Sequence, residues 1–274
     1  MVFTVEKLNN GVEIPVLGLG VYLTDDYGEM KDTVKWAIEK GYTSFDTAQM
    51  YKNEHLLGNA IKDLKLNRDK LFITSKVDIK NMGYENTLKS FEESREKLQA
   101  SYIDMFLVHW PGQKKERLIE TYKAMEDLYK QGKIRVIGVC NCEPKHLNWI
   151  LEECETVPAI NQVERHPFFN DKKLFDWCNQ RNIRLEAWAP LNRGNFDNPR
   201  IKKIAEKYNR TPAQIILRWD IQSGYIVIPK SVHKERIFEN ANIFDFELRE
   251  EDIENLNNMN TGARTSFDPA TFDF

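Results

Sequence analysis

Of the chain's 274 residues, 41% are hydrophobic and 30% charged, enough apolar material for a large core in one α/β unit. A net charge of −3 supplies no overall basic field for nucleic acid or an acidic membrane surface. No apolar run reaches the 18 residues of a spanning helix, no signal-peptide pattern opens the chain, and the four cysteines (Cys140, Cys142, Cys154, Cys178) form neither a CxxC pair nor a disulfide framework, so a cytoplasmic protein with reduced thiols is expected.

Residues 3–14 predict a small hairpin. Phe3, Val5 and Leu8 flank polar residues, Asn10-Gly11 reads as a two-residue turn, and Val12 to Ile14 return. A short apolar run follows at 16–20. Gly41 is placed to close a helix, and 43–47 rises as the next strand. Further apolar runs lie at 71–77, 103–110, 134–140, 159–163, 184–190 and 225–229. Amphipathic segments separate them: Leu88, Phe91, Arg95 and Leu98 share a helical face in 84–99, as do Leu118, Tyr122, Met125 and Tyr129 in 115–131. Thr211-Pro212-Ala213-Gln214 spells a helix start with a capping box. About eight strands, nearly each followed by a helix, require parallel pairing through crossover helices. In this length they fit a closed (β/α)8 TIM barrel with an N-terminal β-hairpin cap better than an open doubly wound sheet. No linker rich in Pro, Gly or Ser interrupts the pattern, so 1–274 reads as a single domain.

Such barrels carry their active sites at the carboxyl ends of the strands. The suspicious polar residues fall there: Asp46 ends the second strand, Lys76 the third, His109 the fourth, Asn141 the fifth and Gln162 the sixth. Trp188 and Pro190 end the seventh, and Lys230 with Ser231 the eighth. A strand-tip Lys is ordinarily a solvated charge and a lone His a satisfied core residue. Their convergence on one face argues for a site. Tyr51 lies on the turn just beyond Asp46, and a buried carboxylate needs a cation, so Asp46, Tyr51, Lys76 and His109 point to acid–base chemistry. No metal is expected, because no His or Cys spacing suits one. Gly18-Leu19-Gly20 lacks the third glycine of a Rossmann fingerprint. At 230–236 a strand gives way to a helix start carrying Lys230, Ser231 and Arg236, a setting for a phosphate.

From end to end the chain resembles the aldo-keto reductases, specifically NADPH-dependent carbonyl reductases of bacterial and protist type. The motifs are FDTAQMYKNE at 45–54, TSKV at 74–77, LVHWPG at 107–112, GKIRVIGVCN at 132–141, NQVERHP at 161–167, WAPLNRG at 188–194 and IPKSVHKERIFENANIFDFEL at 228–248. The resemblance implies reduction of aldehydes or ketones to alcohols by hydride transfer from NADPH, with Tyr51 as proton donor beside Lys76, Asp46 and His109. Lys76 is expected to lower the phenol pKa, and Asp46 to hold Lys76. It further implies an extended NADP(H) across the barrel mouth. Cys140, Asn141 and Gln162 would meet the carboxamide, and Trp188 would stack on the nicotinamide, with Pro190 and Leu191 as neighbouring contacts. Lys230, Ser231 and Arg236 would meet the 2′-phosphate, with Val232 as a further cofactor contact, and Glu239 and Asn240 the adenine. The family usually has Ser at position 140. For the substrate it implies Tyr22, Asp78, His109 and Trp110, where the family often carries Trp at 78, and a Phe-rich tail from Thr265 that closes one side of the cleft. The expected partner is a small carbonyl compound, with no nucleic acid or membrane, for a monomer. Two rivals stand beside this reading: an NADP-binding regulatory subunit of the same fold without significant turnover, and a phosphate-binding isomerase or aldolase barrel using Lys76 as a Schiff-base amine.

Overall fold

The structure, a computed structural model, describes residues 3–273. Strands β1 (Val5–Lys7) and β2 (Glu13–Pro15) pair antiparallel, Val5 opposite Pro15 and Lys7 opposite Glu13. Their turn is one residue longer than the sequence suggested. Leu8 N donates to Val12 O and Gly11 N to Leu8 O, so Asn9 and Asn10 form the corners and Gly11 (φ 84°) takes the left-handed position after them. The extra residue aims both Leu8 and Ile14 into the barrel floor, where they cluster with Phe72, Met105, Val136, Ile160 and Ile226. The hairpin plugs the barrel from below.

Eight strands follow: β3 (Leu19–Gly20), β4 (Ser44–Asp46), β5 (Phe72–Val77), β6 (Ile103–Val108), β7 (Ile134–Cys140), β8 (Ile160–Glu164), β9 (Arg184–Trp188) and β10 (Ile226–Val227). Each pairs parallel with its sequence neighbour. Parallel bridges Leu17–Val227 and Gly20–Lys230, with Gly18 N donating to Val227 O, join the first strand to the last. The sheet closes as a (β/α)8 barrel. Helices α1 (Tyr27–Lys40), α2 (Glu54–Asp63), α3 (Tyr84–Lys97), α4 (Lys115–Lys130), α5 (Pro144–Glu153) and α6 (Lys172–Asn179) make the outer ring. They are joined by α7 (Pro199–Tyr208), α8 (Pro212–Gln222), α9 (Lys234–Ala241) and α10 (Glu250–Asn257). Two helices, α7 and α8, separate β9 from β10. None of the described helices is long and apolar enough to cross a membrane.

Local chemistry sets the boundaries. Gly41, in the left-handed region at φ 102°, ends α1 by donating to Ala37 O and Ile38 O and turns the chain into β4. Thr211 and Gln214 exchange the expected capping-box bonds at the start of α8. On α4 the predicted stripe is buried through Leu118, Tyr122 and Met125, with Tyr129 half-buried against the core. On α3 most of the predicted face is inward, with Phe91 and Leu98 buried and Leu88 packed against the core, and only Arg95 departs from it. Thr87, Ser90, Phe91 and Ser94 face inward, while Arg95 lies half out and pairs with Glu92. Small hydroxyl residues at 87, 90 and 94 extend this face beyond the large apolar side chains.

Candidate active site

Alternation along β5 sends Ser75 outward to Glu54 (2.6 Å) and Lys76 inward. Lys76 is completely buried and spends its three hydrogens on Asp46 Oδ1 (2.5 Å), Thr47 O (3.0 Å) and Tyr51 Oη (3.3 Å). Burial works against the ammonium, but Asp46, then Tyr51 and Cys140, outweigh it and hold Lys76 above the ordinary lysine value. Tyr51 ends a single 3-10 turn, Gln49–Tyr51, fixed from both sides. Asn53, buried behind it, accepts from Thr47 Oγ1 and donates to Val21 O and Thr24 O; Gln49 donates to Ser90 O and Ser94 Oγ. The Tyr51 ring lies 4.8 Å from Tyr22 and 5.6 Å from His109.

The electrostatics correct one expectation. Lys76 does pull the Tyr51 phenol down, but burial is the larger effect and Asp46 adds to it, so the hydroxyl is pushed up to about 12. Tyr51 therefore stays protonated at neutral pH. His109 is held well below 6.5 by burial and by Lys76, and is neutral. Its Nδ1 is buried without a hydrogen-bond partner, so the single imidazole proton is best placed on Nε2.

Gln162 lies deeper than expected. β8 runs two residues past it to Glu164, which puts Gln162 one inward layer below the strand tip. There one amide hydrogen goes to Asp46 Oδ2 (2.8 Å) and the other to Glu186 Oε2 (2.7 Å), while its carbonyl accepts from Cys140 Sγ (3.8 Å). In this arrangement its amide is fully occupied by the protein. Asn141 stands at the end of β7 with φ 58°, donates to His109 O (3.0 Å) and accepts from Trp188 Nε1 (2.9 Å). Beyond Trp188 the backbone is strained: Ala189, Asn192 and Arg193 all have φ near +50° without being glycine, in the loop that carries Pro190 and Leu191. Glu186 escaped the sequence reading. Parity would have found it, since residue 186 shares the inward side of β9 with Trp188.

At the far end of the mouth, α9 starts at Lys234 with no side chain capping its first N–H groups. Lys230 and Arg236 are exposed, and among the described residues neither forms an ion pair. Ser231 is buried, its Oγ accepting from His233 N; Val232 is half-buried. Unpaired cations at bare helix N–H groups suit a phosphate. Glu239 accepts from Thr211 Oγ1 (2.6 Å) and Asn240 is buried beside it on α9.

On the substrate side Tyr22 is 43% exposed at the rim. Asp78 is less available than its position suggested, because its carboxylate accepts from Lys80 N (3.1 Å) and caps the turn Ile79–Asn81. Trp110 is buried beneath Phe272 (5.1 Å), and Phe267 stacks on Phe272 at 4.2 Å. Gln113 holds this tail by donating to Pro269 O and Phe272 O, and Thr265 donates to Glu164 Oε1 through both N and Oγ1. The tail thus walls one side of the cleft. Among the described residues no group of three His, Cys, Asp or Glu side chains is gathered closely enough to hold a metal ion.

A cation-linked Tyr and Asp at the mouth of a closed barrel, with a free cationic helix start opposite, invites comparison with known proteins. The Aldo/keto reductase family model matches residues 17–261. Glyoxal reductase of Bacillus subtilis is 49% identical over 264 residues, covering 96% of this chain and 95% of that protein. Methylglyoxal reductase DkgA of Escherichia coli is 40% identical, covering 98% of both. A solved Gox0644 variant in complex with NADPH superposes with a TM-score of 0.94 at 39% identity over the full length of each chain. With the family model spanning most of the sequence and such relatives matching end to end, the chain belongs to the aldo/keto reductase family.

Proposed function

We propose that this protein reduces small aldehydes and ketones to alcohols with NADPH, acting as a single-domain monomer in the cytoplasm, with glyoxal-like and methylglyoxal-like carbonyls as its first candidates. The relatives' activities support the class of substrate. The observation that carries the reading is Lys76, fully buried and bonded at once to Asp46 and Tyr51.

When bound, NADPH supplies the hydride; the chain supplies the proton. Tyr51, protonated at neutral pH, gives its hydrogen to the carbonyl oxygen as that oxygen becomes an alkoxide. A phenol near 12 is a poor acid in water, yet an alkoxide is far more basic, so transfer runs downhill. Lys76 stabilises the phenolate left behind, and Asp46 keeps Lys76 charged in a buried setting. Neutral His109 donates from Nε2 to the same carbonyl oxygen and orients it. For the cofactor, Lys230, Arg236 and the first N–H groups of α9 would hold the 2′-phosphate. Trp188, Pro190, Leu191 and Asn141 would flank the nicotinamide, together with Cys140 and Gln162 beneath. Tyr22, Trp110, His109 and Asp78 would line the substrate side. Titrating the protein with NADPH while following nicotinamide fluorescence, then adding methylglyoxal and following NADPH absorbance, tests the proposal. Saturable binding followed by consumption is expected. Binding without consumption of any small aldehyde rejects catalysis and leaves a cofactor-binding protein.

A further inference from the structure

Glu186 is a carboxylate in the interior of β9, 1% exposed, in register with Gln162 on one side and Ile226 on the other. Among the described residues no cation pairs with it, and its hydrogen-bond partner is the Gln162 amide. A buried carboxylate without a cation lowers stability, and a neutral residue of similar shape would fit the same space at less cost. Packing does not ask for an acid here.

What the acid does is visible in Gln162. An amide nitrogen on a flexible side chain has two hydrogens, and here both end on carboxylates, Asp46 Oδ2 and Glu186 Oε2. Asp46 then has one oxygen on Gln162 and the other on Lys76, which fixes the plane of its carboxylate. Without Glu186, Gln162 would keep Asp46 and a weak thiol contact from Cys140, and its amide could swing. Resting on the carbonyl-reductase reading above, we infer that Glu186 is a positioning residue for the proton donor: it anchors the Gln162 amide, which orients Asp46, which aims Lys76 at Tyr51.

The charged groups facing Glu186 are Asp46 from β4 and Lys76 from β5, with Gln162 of β8 between them and the Cys140 thiol of β7 alongside. Burial first and Asp46 second push the Glu186 carboxyl up to about 7, so its charge changes near neutral pH. Ionised, it is the stronger acceptor for Gln162. The anchoring should therefore tighten as pH rises through neutrality.

The test uses two variants of the whole protein. Glu186→Leu removes the acceptor, and Glu186→Gln keeps a neutral one. In Glu186→Leu, kcat for methylglyoxal should fall about tenfold or more, the scale of a small misplacement of a catalytic group. NADPH affinity by fluorescence and KM for the aldehyde should stay close to wild type. Glu186→Gln should keep most of kcat but lose the rise through neutral pH that the wild type shows. Glu186→Gln should melt at or above the wild-type temperature at pH above 7, since a buried charge is gone and an acceptor for Gln162 stays, whereas Glu186→Leu leaves a Gln162 hydrogen without an acceptor. A structural role would lower the melting temperature and the rate of Glu186→Gln together, and that result overturns the inference. So does a wild-type rate and pH profile in Glu186→Leu, or a loss of NADPH affinity as large as the loss of kcat. A wild-type protein inert toward NADPH and every aldehyde would instead remove the carbonyl-reductase reading, and this inference with it.

Discussion

Replacing Lys76 with Met deletes the ammonium that stands between Asp46 (2.5 Å) and Tyr51 (3.3 Å). Asp46 is 3% exposed, so the variant leaves a carboxylate buried without its cation. Breaking a buried pair in this way costs about 3–5 kcal/mol. Asp46→Asn strands Lys76 by the same logic and should cost a similar amount. The double variant strands neither charge, so it should be more stable than Lys76→Met alone, with a coupling energy of about 2–3 kcal/mol, in the range seen for contacting residues. Activity should behave differently. The phenolate loses its stabilising cation in both Lys76→Met and the double variant, so each should lose carbonyl reduction by about 10²-fold or more. Urea unfolding supplies the stability cycle, and NADPH consumption with methylglyoxal the rates. Additive stability losses would show that the two charges are not coupled, and recovered turnover in the double variant would show that Lys76 does not serve Tyr51.

Arg236→Met should weaken NADPH binding by about 1–3 kcal/mol, the scale of a charge-assisted hydrogen bond, and leave NADH nearly unchanged; equal losses measured by fluorescence would reject the 2′-phosphate assignment. Cys140→Ser should keep cofactor affinity and turnover, because a hydroxyl can still donate to Gln162 Oε1 where the thiol now does at 3.8 Å; a collapse of the rate would give the thiol a role. Stability should fall as pH rises from about 4.5 to about 7, since Glu186, lifted from 4.5 to about 7, keeps its proton in the folded chain after the unfolded chain has lost it. Its share is about 3 kcal/mol at pH above both values, and Glu186→Gln should remove that share from a chemical-denaturation series; an unchanged pH slope would contradict the shift.

Much of the fold is legible in the sequence. The βα rhythm and the apolar runs located all eight barrel strands, and the rule that sites sit at strand ends picked out Asp46, Lys76, His109 and Asn141, which lie at or next to the ends of β4, β5, β6 and β7. What escaped depended on depth and parity. Gln162 was read as a tip residue because a polar side chain closing an apolar run looks like an end, yet β8 carries on to Glu164. Glu186, in Arg-Leu-Glu-Ala-Trp, carries no motif that singles it out, although it points to the same side as Trp188. Asp78 is expected at the cleft by position, and the structure adds that its carboxylate caps a local turn. The Tyr51 phenol was expected to be lowered by Lys76, and burial, invisible in a linear sequence, proved the larger effect. The hairpin turn was misjudged for a different reason: Asn10-Gly11 fits two turn types, and only the Leu8–Val12 pairing separates them.

The account turns on Tyr51 as the proton donor, and Tyr51→Phe tests it most directly. The change keeps the ring beside Tyr22 and His109 and removes one hydroxyl, the one that Lys76 meets at 3.3 Å. NADPH affinity by fluorescence should stay within a few fold, while kcat for methylglyoxal falls by about 10²–10⁴-fold. A Tyr51→Phe protein that binds NADPH and still reduces methylglyoxal at close to the wild-type rate would contradict the mechanism at its centre.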